Sequence, residues 1–127
     1  METLHIPGKK DSPEIYFGPD IDTFQIEGVS LPTNPIEFYE PVFEWLHEFL
    51  YSPDISSMVK INFKMDYFNT SSMKQFAKLF RIIDNSPAKE KVSINWFYDE
   101  EDIDMLDAGK RFGQFVNIHF DFIKNFE

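Results

Sequence analysis

The segment Asp66–Phe76 (DYFNTSSMKQF) carries four polar side chains in succession, Asn69, Thr70, Ser71 and Ser72. They stand where an alternating, strand-like pattern gives way to a helical one. Side chains of these types accept hydrogen bonds from the unpaired amides of a first helical turn, so capping is the commonest reason for such a cluster. One helix start needs only one cap. At least one hydroxyl is therefore expected to be exposed, at the strand ends where α/β proteins carry functional groups.

An exposed hydroxyl in this position has two chemical uses. A nucleophile needs a general base within hydrogen-bond reach, but the sequence has no G-x-S-x-G motif, and no local motif brings one of its three histidines to the cluster. A phosphate acceptor needs only exposure, because a helix amino terminus favours a group that gains a charge of about −1.5 to −2. The pattern favours modification, and the alternative is a small hydrolase that uses Thr70 or Ser71.

The acidic segment Asp99–Asp102, followed by Asp104 and Asp107, is the second candidate for chemistry. It lacks the glycine and the spacing of an EF-hand loop, and acidic residues before a helix complement the helix dipole. This pattern predicts a solvated helix start. The histidines His5, His47 and His119 are predicted to be surface or packing residues, because metal sites need clusters. None of the glycines forms a phosphate loop. We therefore expect no metal and no cofactor.

Composition limits the class of protein. The chain has 127 residues, 15 phenylalanines, no cysteine and a formal net charge of −10. This length predicts a single domain with its own core, and the absence of cysteine excludes disulfides and thiolate chemistry. The acidic charge and scattered lysines disfavour nucleic-acid and membrane-surface binding. The amino terminus does not resemble a signal peptide, and no apolar run approaches the roughly 20 residues of a membrane span. A cytoplasmic location is expected.

Hydrophobic periodicity predicts the elements that position the cluster. Strands are predicted at 14–17, 23–27, 59–67, 92–98 and 118–122, and helices at 36–51, 73–83 and 103–115. Ser52-Pro53-Asp54 is predicted to end the first helix. The order is β-β-α-β-α-β-α-β, which predicts an α/β fold with about five strands in a mixed sheet and parallel crossovers.

The strand at 59–67 predicts how the layers are arranged. Its alternation places one set of side chains on each face of the sheet: Val59, Ile61, Phe63, Met65 and Tyr67 against Lys60, Asn62, Lys64 and Asp66. A parallel strand covered on both faces is usually apolar throughout. The helices are therefore predicted to pack on one face only. In the first helix, Phe38 and Trp45 flank the main apolar stripe, and they indicate either a broad core face or a docking edge.

Five segments together resemble one known family. They are LHIPG (4–8), the turn that contains Pro32 and Asn34, FYEPVFEWLHEFL (38–50), YFNTSSMK (67–74) and INWFYDEEDIDML (94–106). In this order they resemble the SiaC family of bacterial regulatory phosphoproteins, and NTSS with its aromatic lead-in is the most specific part. The resemblance implies a fold similar to the anti-sigma-factor antagonist (STAS) domain, in agreement with a sheet covered on one face.

The resemblance also implies a partner-switching function. A Ser/Thr protein kinase would phosphorylate Thr70, a PP2C-type phosphatase would reverse this, and the unmodified form would bind and activate a diguanylate cyclase. The predicted partner-binding residues are Asn69, Ser71, Ser72, Phe38 and Trp45, of which Ser71 and Ser72 are also expected to serve in capping and local hydrogen bonding. The turn at 31–35 (LPTNP) departs from the family's usual Tyr-Pro-Glu-Asn-Ser or Ala, so the partner surface is expected to differ there. An adaptor never modified at Thr70 is the remaining alternative.

Overall fold

The structure is a computed structural model that describes residues 1–52, 55 and 57–125. Within these residues lie six strands and three α-helices. The strands are β1 (Leu4–Ile6), β2 (Glu14–Phe17), β3 (Thr23–Ser30), β4 (Val59–Phe68), β5 (Val92–Tyr98) and β6 (His119–Lys124). The helices are α1 (Pro35–Leu50), α2 (Thr70–Asp84) and α3 (Ile103–Phe115), and a short 3-10 turn, Lys89–Lys91, precedes β5.

The strands form one mixed sheet in the order β1-β2-β3-β4-β5-β6. The pairs β1–β2 and β2–β3 are antiparallel, and the pairs from β3 to β6 are parallel. Crossovers between parallel strands are right-handed, and here each adds its strand in the same direction, so all three helices lie on one face. The predicted α/β class and one-sided layering are confirmed.

The predicted count of about five strands is wrong by one edge strand. β1 is only three residues long, LHI, and pairs antiparallel with β2. Three residues are too few for an alternating pattern to be recognised in a sequence. The remaining strands and helices follow the predicted order, with boundaries that differ by a few residues at most.

The parallel strands set the position of the candidate site. β3, β4 and β5 end at the same edge of the sheet, where the first turns of α1, α2 and α3 follow. We call this the carboxyl edge, and it comprises residues 30–38, 66–73 and 98–105.

A β-bulge where β4 reaches this edge changes which side chains face the helices. Gly28 pairs with Met65 and Val29 pairs with Tyr67, so Asp66 is an extra residue in β4. Gly28 has φ of +121°, a backbone conformation that favours glycine. The alternation predicted Tyr67 on the same face as Met65, and the bulge changes this: its side chain is 55% exposed.

The residue after Tyr67 takes the inward position instead. Phe68 packs against Phe76 and Trp96, with ring centroids 5.1 and 6.1 Å away. The bulge thus directs an aromatic ring inward immediately before α2 begins.

Helix α1 starts and packs largely as predicted. Asn34 caps it, because its Oδ1 accepts a hydrogen bond from the backbone N–H of Glu37 at 3.2 Å. Its buried stripe is the predicted one, namely Tyr39, Val42, Phe43, Leu46, Phe49 and Leu50. Pro53 and Asp54, which were predicted to end this helix, lie outside the described residues.

Helix α3 packs on β5 through a glycine. The Trp96 indole lies across Gly109 and donates a hydrogen bond to the Met105 carbonyl at 2.9 Å. A Cβ at position 109 would approach the indole far more closely than van der Waals contact allows.

We predict opposite effects for two glycine substitutions in α3. Gly109→Ala should lower the free energy of unfolding by about 1–2 kcal/mol, because overpacking against the fixed indole outweighs the better helix propensity of alanine. Gly113→Ala is the matched control, since its Cβ would meet Phe120 at an ordinary 3.6 Å. It should raise stability by about 0.5–1 kcal/mol. Urea denaturation of both variants tests this, and equal effects would contradict the packing argument.

Candidate functional site

Asn69 caps α2 and leaves the next two side chains outside. Its backbone is extended, with φ of −89° and ψ of 178°, and its Oδ1 accepts a hydrogen bond from the Ser72 N–H at 2.9 Å. Thr70, the first residue of α2, and Ser71 are both exposed. The cluster thus has one cap, and the structure places the Thr70 side chain at the surface of a helix amino terminus. The prediction that Ser71 and Ser72 supply the cap is wrong, because Asn69 supplies it.

Ser72 belongs to a buried hydroxyl network. Ser72 and Ser30 are both fully buried. The Ser72 hydroxyl donates to the Ser30 carbonyl at 2.9 Å and accepts from the Ser30 hydroxyl at 2.7 Å. The Ser30 hydroxyl also bonds to the Tyr39 hydroxyl. The network joins the end of β3 to the first turn of α2 and the second turn of α1. Its burial corrects the prediction that Ser72 contacts a partner, since that side chain has no exposed surface.

The number of hydroxyl protons determines which residue donates in the hydrogen bond between Ser30 and Tyr39. Each hydroxyl has one proton, and those of Ser72 and Ser30 are already donated within the pair. Tyr39 must therefore donate to Ser30. Burial raises the pKa of Tyr39 strongly. The phenol therefore keeps its proton and remains a donor.

Four of the ten large apolar side chains that are exposed among the described residues lie at the carboxyl edge. Leu31 follows β3, Ile36 lies in the first turn of α1, Tyr67 precedes the end of β4 and Ile103 begins α3. Their exposed fractions are 37%, 67%, 55% and 65%. We did not single out Ile36, Tyr67 or Ile103 from the sequence. In the sequence, each of them is an apolar residue at the boundary of a helix or strand, at a position that does not fit the spacing of the buried side chains.

The carboxyl edge is also acidic. Asp66 is exposed in β4, and Asp99–Asp102 forms the connection from β5 to α3. Asp102 caps α3, with its Oδ1 accepting from the Met105 N–H at 3.0 Å, as the helix-start interpretation predicted. Across the described ranges, no group of three or more His, Cys, Asp or Glu side chains is placed to hold a metal ion. The nearest cation along α2 is the exposed Lys74, one turn after Thr70.

Trp45 has the contacts of a packing residue. Its ring lies 5.7 Å from Phe17, 5.5 Å from Phe24 and 5.1 Å from Phe49, measured between ring centroids. Its indole N–H donates to the Glu2 carbonyl at 2.7 Å. These contacts support the broad-core alternative for Trp45. The structure places it over β2 and β3, away from Thr70 on α2.

Phe38 has a different position. It is half-buried in the first turn of α1, with its ring 4.8 Å from that of Tyr39. It therefore lies at the carboxyl edge, as Thr70 does. Its role in partner binding, like that of Asn69 and Ser71, stays a prediction.

The histidines are not placed to activate Thr70 or Ser71. His5 lies on the edge strand β1 and pairs with Glu14 at 3.3 Å. His47 stacks on Tyr51 near the end of α1, and His119 begins β6, both at the opposite edge of the sheet from Thr70. The geometry offers the exposed hydroxyls no imidazole base.

Comparison with known proteins gives one family. Residues 6–125 match the family model described as SiaC family regulatory phosphoprotein. This chain belongs to the SiaC family.

Relatives from Pseudomonas aeruginosa agree with this assignment. An uncharacterized protein of strain UCBPP-PA14 is 26% identical over 121 residues, which is 94% of either chain. The crystal structure of apo-SiaC is 25% identical, with a TM-score of 0.85 over 97% of this chain and 99% of that one. The SiaC chain in the crystal structure of the diguanylate cyclase SiaD with its activator SiaC is 24% identical, with a TM-score of 0.85 over 96% and 99%. The described helices include none that is long and apolar enough to cross a membrane.

We predict that Ser72 and Ser71 differ sharply in their contribution to stability. Ser72→Ala removes the partner of the buried Ser30 hydroxyl, and it should lower the free energy of unfolding by about 1–3 kcal/mol. Ser71→Ala is the matched control on the exposed side of the same turn, and it should change stability by less than about 0.5 kcal/mol. Thermal and urea denaturation measure both. A Ser72→Ala variant as stable as the wild type would contradict the network.

Proposed function

We propose that this chain is a single-domain regulatory phosphoprotein in which reversible phosphorylation of Thr70 controls the binding of an output protein. A Ser/Thr protein kinase adds the phosphate and a PP2C-type phosphatase removes it. The output protein is a diguanylate cyclase, which the unmodified form binds and activates. Membership of the SiaC family supports this proposal, as does the complex in which SiaC of Pseudomonas aeruginosa is the activator of SiaD.

The observation that carries the proposal is the exposure of Thr70 among exposed apolar side chains. Its hydroxyl lies at the surface of a capped helix start, where a kinase can reach it. Leu31, Ile36 and Ile103 are exposed at the same edge of the sheet. Apolar side chains that the fold leaves exposed in one region are typical of a protein-binding surface. A modification at Thr70 would therefore act within that surface.

Electrostatics explains how phosphate would prevent docking. The added dianion would lie at an edge that already carries Asp66 and Asp99–Asp102, in a protein with a net charge of −10. A partner that covers Thr70 with apolar surface and supplies no cation of its own would have to desolvate a dianion that Lys74 neutralises only in part, and a buried charge without full compensation costs several kcal/mol. Phosphorylation would thus weaken binding without any change in fold.

The phosphate should be tolerated by the domain itself. Thr70 is the first residue of α2, where free backbone N–H groups and the helix dipole favour negative charge by about 0.3–1 kcal/mol. Lys74 lies four residues later on the same side of the helix and can pair with the phosphate. The switch therefore acts on the surface, and the core is unaffected.

The two alternatives are less well supported. A hydrolase needs a histidine or carboxylate base beside the hydroxyl in a closed pocket. The three histidines lie elsewhere, and Thr70 and Ser71 are exposed at the surface. An adaptor that is never modified would not need an exposed threonine at a helix amino terminus. We therefore favour the phosphorylation switch.

The first test is the site of modification. Wild type, Thr70→Ala and Ser71→Ala are incubated with the kinase from the same organism and ATP, and intact mass and peptide mapping follow. Wild type and Ser71→Ala should gain one phosphate and Thr70→Ala none, and the phosphatase should remove it. Phosphate on Thr70→Ala would refute Thr70 as the acceptor.

The second test separates binding from folding. Phosphorylated protein, or Thr70→Glu, should bind the cyclase at least about tenfold more weakly than wild type, because the charge is desolvated in the complex. Its melting temperature should be equal or higher, because the charge lies at a helix amino terminus. Thr70→Val is the uncharged control and should bind like wild type. Equal affinities for the phosphorylated and unmodified forms would refute the switch.

A further inference from the structure

A groove between α2 and α3 begins one turn after Thr70. It has a volume of about 260 Å³ and its lining is Met73, Lys74, Ala77, Arg111, Phe112 and Phe115. Met73, Lys74 and Ala77 follow Thr70 by three, four and seven residues, so they share one side of α2 with it. We call this the α2–α3 groove. It is a continuation of the surface that carries Thr70.

The floor of the groove is apolar and incompletely covered. Phe115 is 45% exposed, although it is a large aromatic side chain in the last turn of α3. Phe112 is nearly buried below it, and Met73 and Ala77 are half-buried on the opposite wall. A row of small and flexible apolar side chains facing an exposed aromatic ring can receive the apolar ridge of an amphipathic helix.

The side chains at the groove include cations, although the protein as a whole has a negative charge. Lys74 and Arg111 line it from opposite helices, and both are exposed. The Arg81 guanidinium lies 4.2 Å from the centroid of the Phe115 ring, at the far end of the groove. Asp107 lies four residues before Arg111 on the same side of α3, and the three cations outnumber it. In a chain of net charge −10, this excess of positive charge along one apolar strip favours an occupant with acidic flanks.

We propose that the α2–α3 groove binds an amphipathic helix of a partner protein whose apolar ridge is flanked by Asp and Glu side chains. The ridge packs on Phe115 and Met73, and the flanking carboxylates pair with Lys74 and Arg111. The inference deepens the proposed function, on which its link to Thr70 rests. A phosphate on Thr70 would weaken the binding of an acidic helix in two ways. It would attract Lys74 away from the carboxylates of the helix, and it would place a dianion at the mouth of the groove.

A second copy of this chain is the other conceivable occupant, and it fits less well. The exposed face of α1 carries Glu37, Glu40, Glu44 and Glu48, which match the cations in sign. That face has no ridge of large apolar side chains to fill the groove, apart from Ile36 at its start. An apolar strip needs apolar contact as well as opposite charge, so the charge match is not sufficient.

Two synthetic peptides test the groove directly. Each is a helix of about 20 residues, long enough to be stable, with the same leucine ridge. The flanking positions are Glu in one peptide and Lys in the other. Fluorescence anisotropy measures their binding to wild type, Lys74→Glu, Arg111→Glu and Ala77→Leu. Lys10→Glu, the same charge reversal at an exposed position outside the groove, is the matched control.

The Glu-flanked peptide should bind wild type at least about tenfold more tightly than the Lys-flanked peptide. Lys74→Glu and Arg111→Glu should each weaken it about three- to fivefold, and Lys10→Glu less than about twofold. Ala77→Leu should weaken both peptides, because it fills the groove without changing charge. Circular dichroism verifies that each variant is folded.

Several results would overturn the proposal: no binding by either peptide, equal binding by both, or equal effects of Lys74→Glu and Lys10→Glu. A dimer in sedimentation velocity that Ala77→Leu abolishes would assign the groove to a second copy and would also overturn it. The peptide assay contains no cyclase and no kinase. Its failure would therefore leave the phosphorylation switch standing, whereas failure of the cyclase assay would leave the groove standing.

Discussion

The hydrogen bonds between Ser72 and Ser30 determine which way the first turn of α2 faces. Residues in an α-helix are about 100° apart around its axis. With Ser72 held inward, Thr70 lies about 200° away and faces solvent, and Ser71 lies between them. The Ser30 carbonyl accepts from the Ser72 hydroxyl at 2.9 Å and from the Asn69 N–H at 3.3 Å, so it ties both the cap and the first turn to β3. The exposure of Thr70 follows from this buried contact.

The β-bulge in β4 cooperates with this network. If β4 kept its regular alternation through Asp66, without the bulge, Tyr67 would lie on the buried face and Phe68 would point to solvent. With it, Phe68 packs on Phe76 of α2 and Trp96 of β5, and Tyr67 is exposed beside the site. The one-residue shift in register therefore places the Phe68 ring beneath α2 and leaves the Tyr67 ring exposed near Thr70. Both consequences arise within a few residues of the helix start, where a docking surface has to be positioned.

Local patterns predicted most of the fold, and long-range contacts determined what they missed. Alternation and 3.6-residue periodicity identified β4, β5 and α3 because each is long enough to show its period. They missed β1, whose three residues are held by pairing with β2. They also missed the inward turn of Ser72, because its partner Ser30 is 42 residues away in sequence. A row of Asn, Thr and Ser predicts a cap but cannot show which member provides it. Here the backbone of Asn69 is extended and its side chain reaches Ser72, which no composition rule specifies.

The net charge of the sequence also does not predict how charge is distributed on the folded surface, because it sums over surfaces that the fold separates. The lysines and arginines are dispersed along the sequence and form no basic run. Packing α3 beside α2 nevertheless brings Arg111 to the groove lined by Lys74, and Arg81 to Phe115 at its end. The carboxyl edge, in contrast, keeps Asp66 and Asp99–Asp102. Thr70 stands between the acidic edge and the cationic groove. A phosphate on Thr70 would make the acidic edge more negative and would neutralise part of the positive charge at the groove. Both changes would repel an acidic partner.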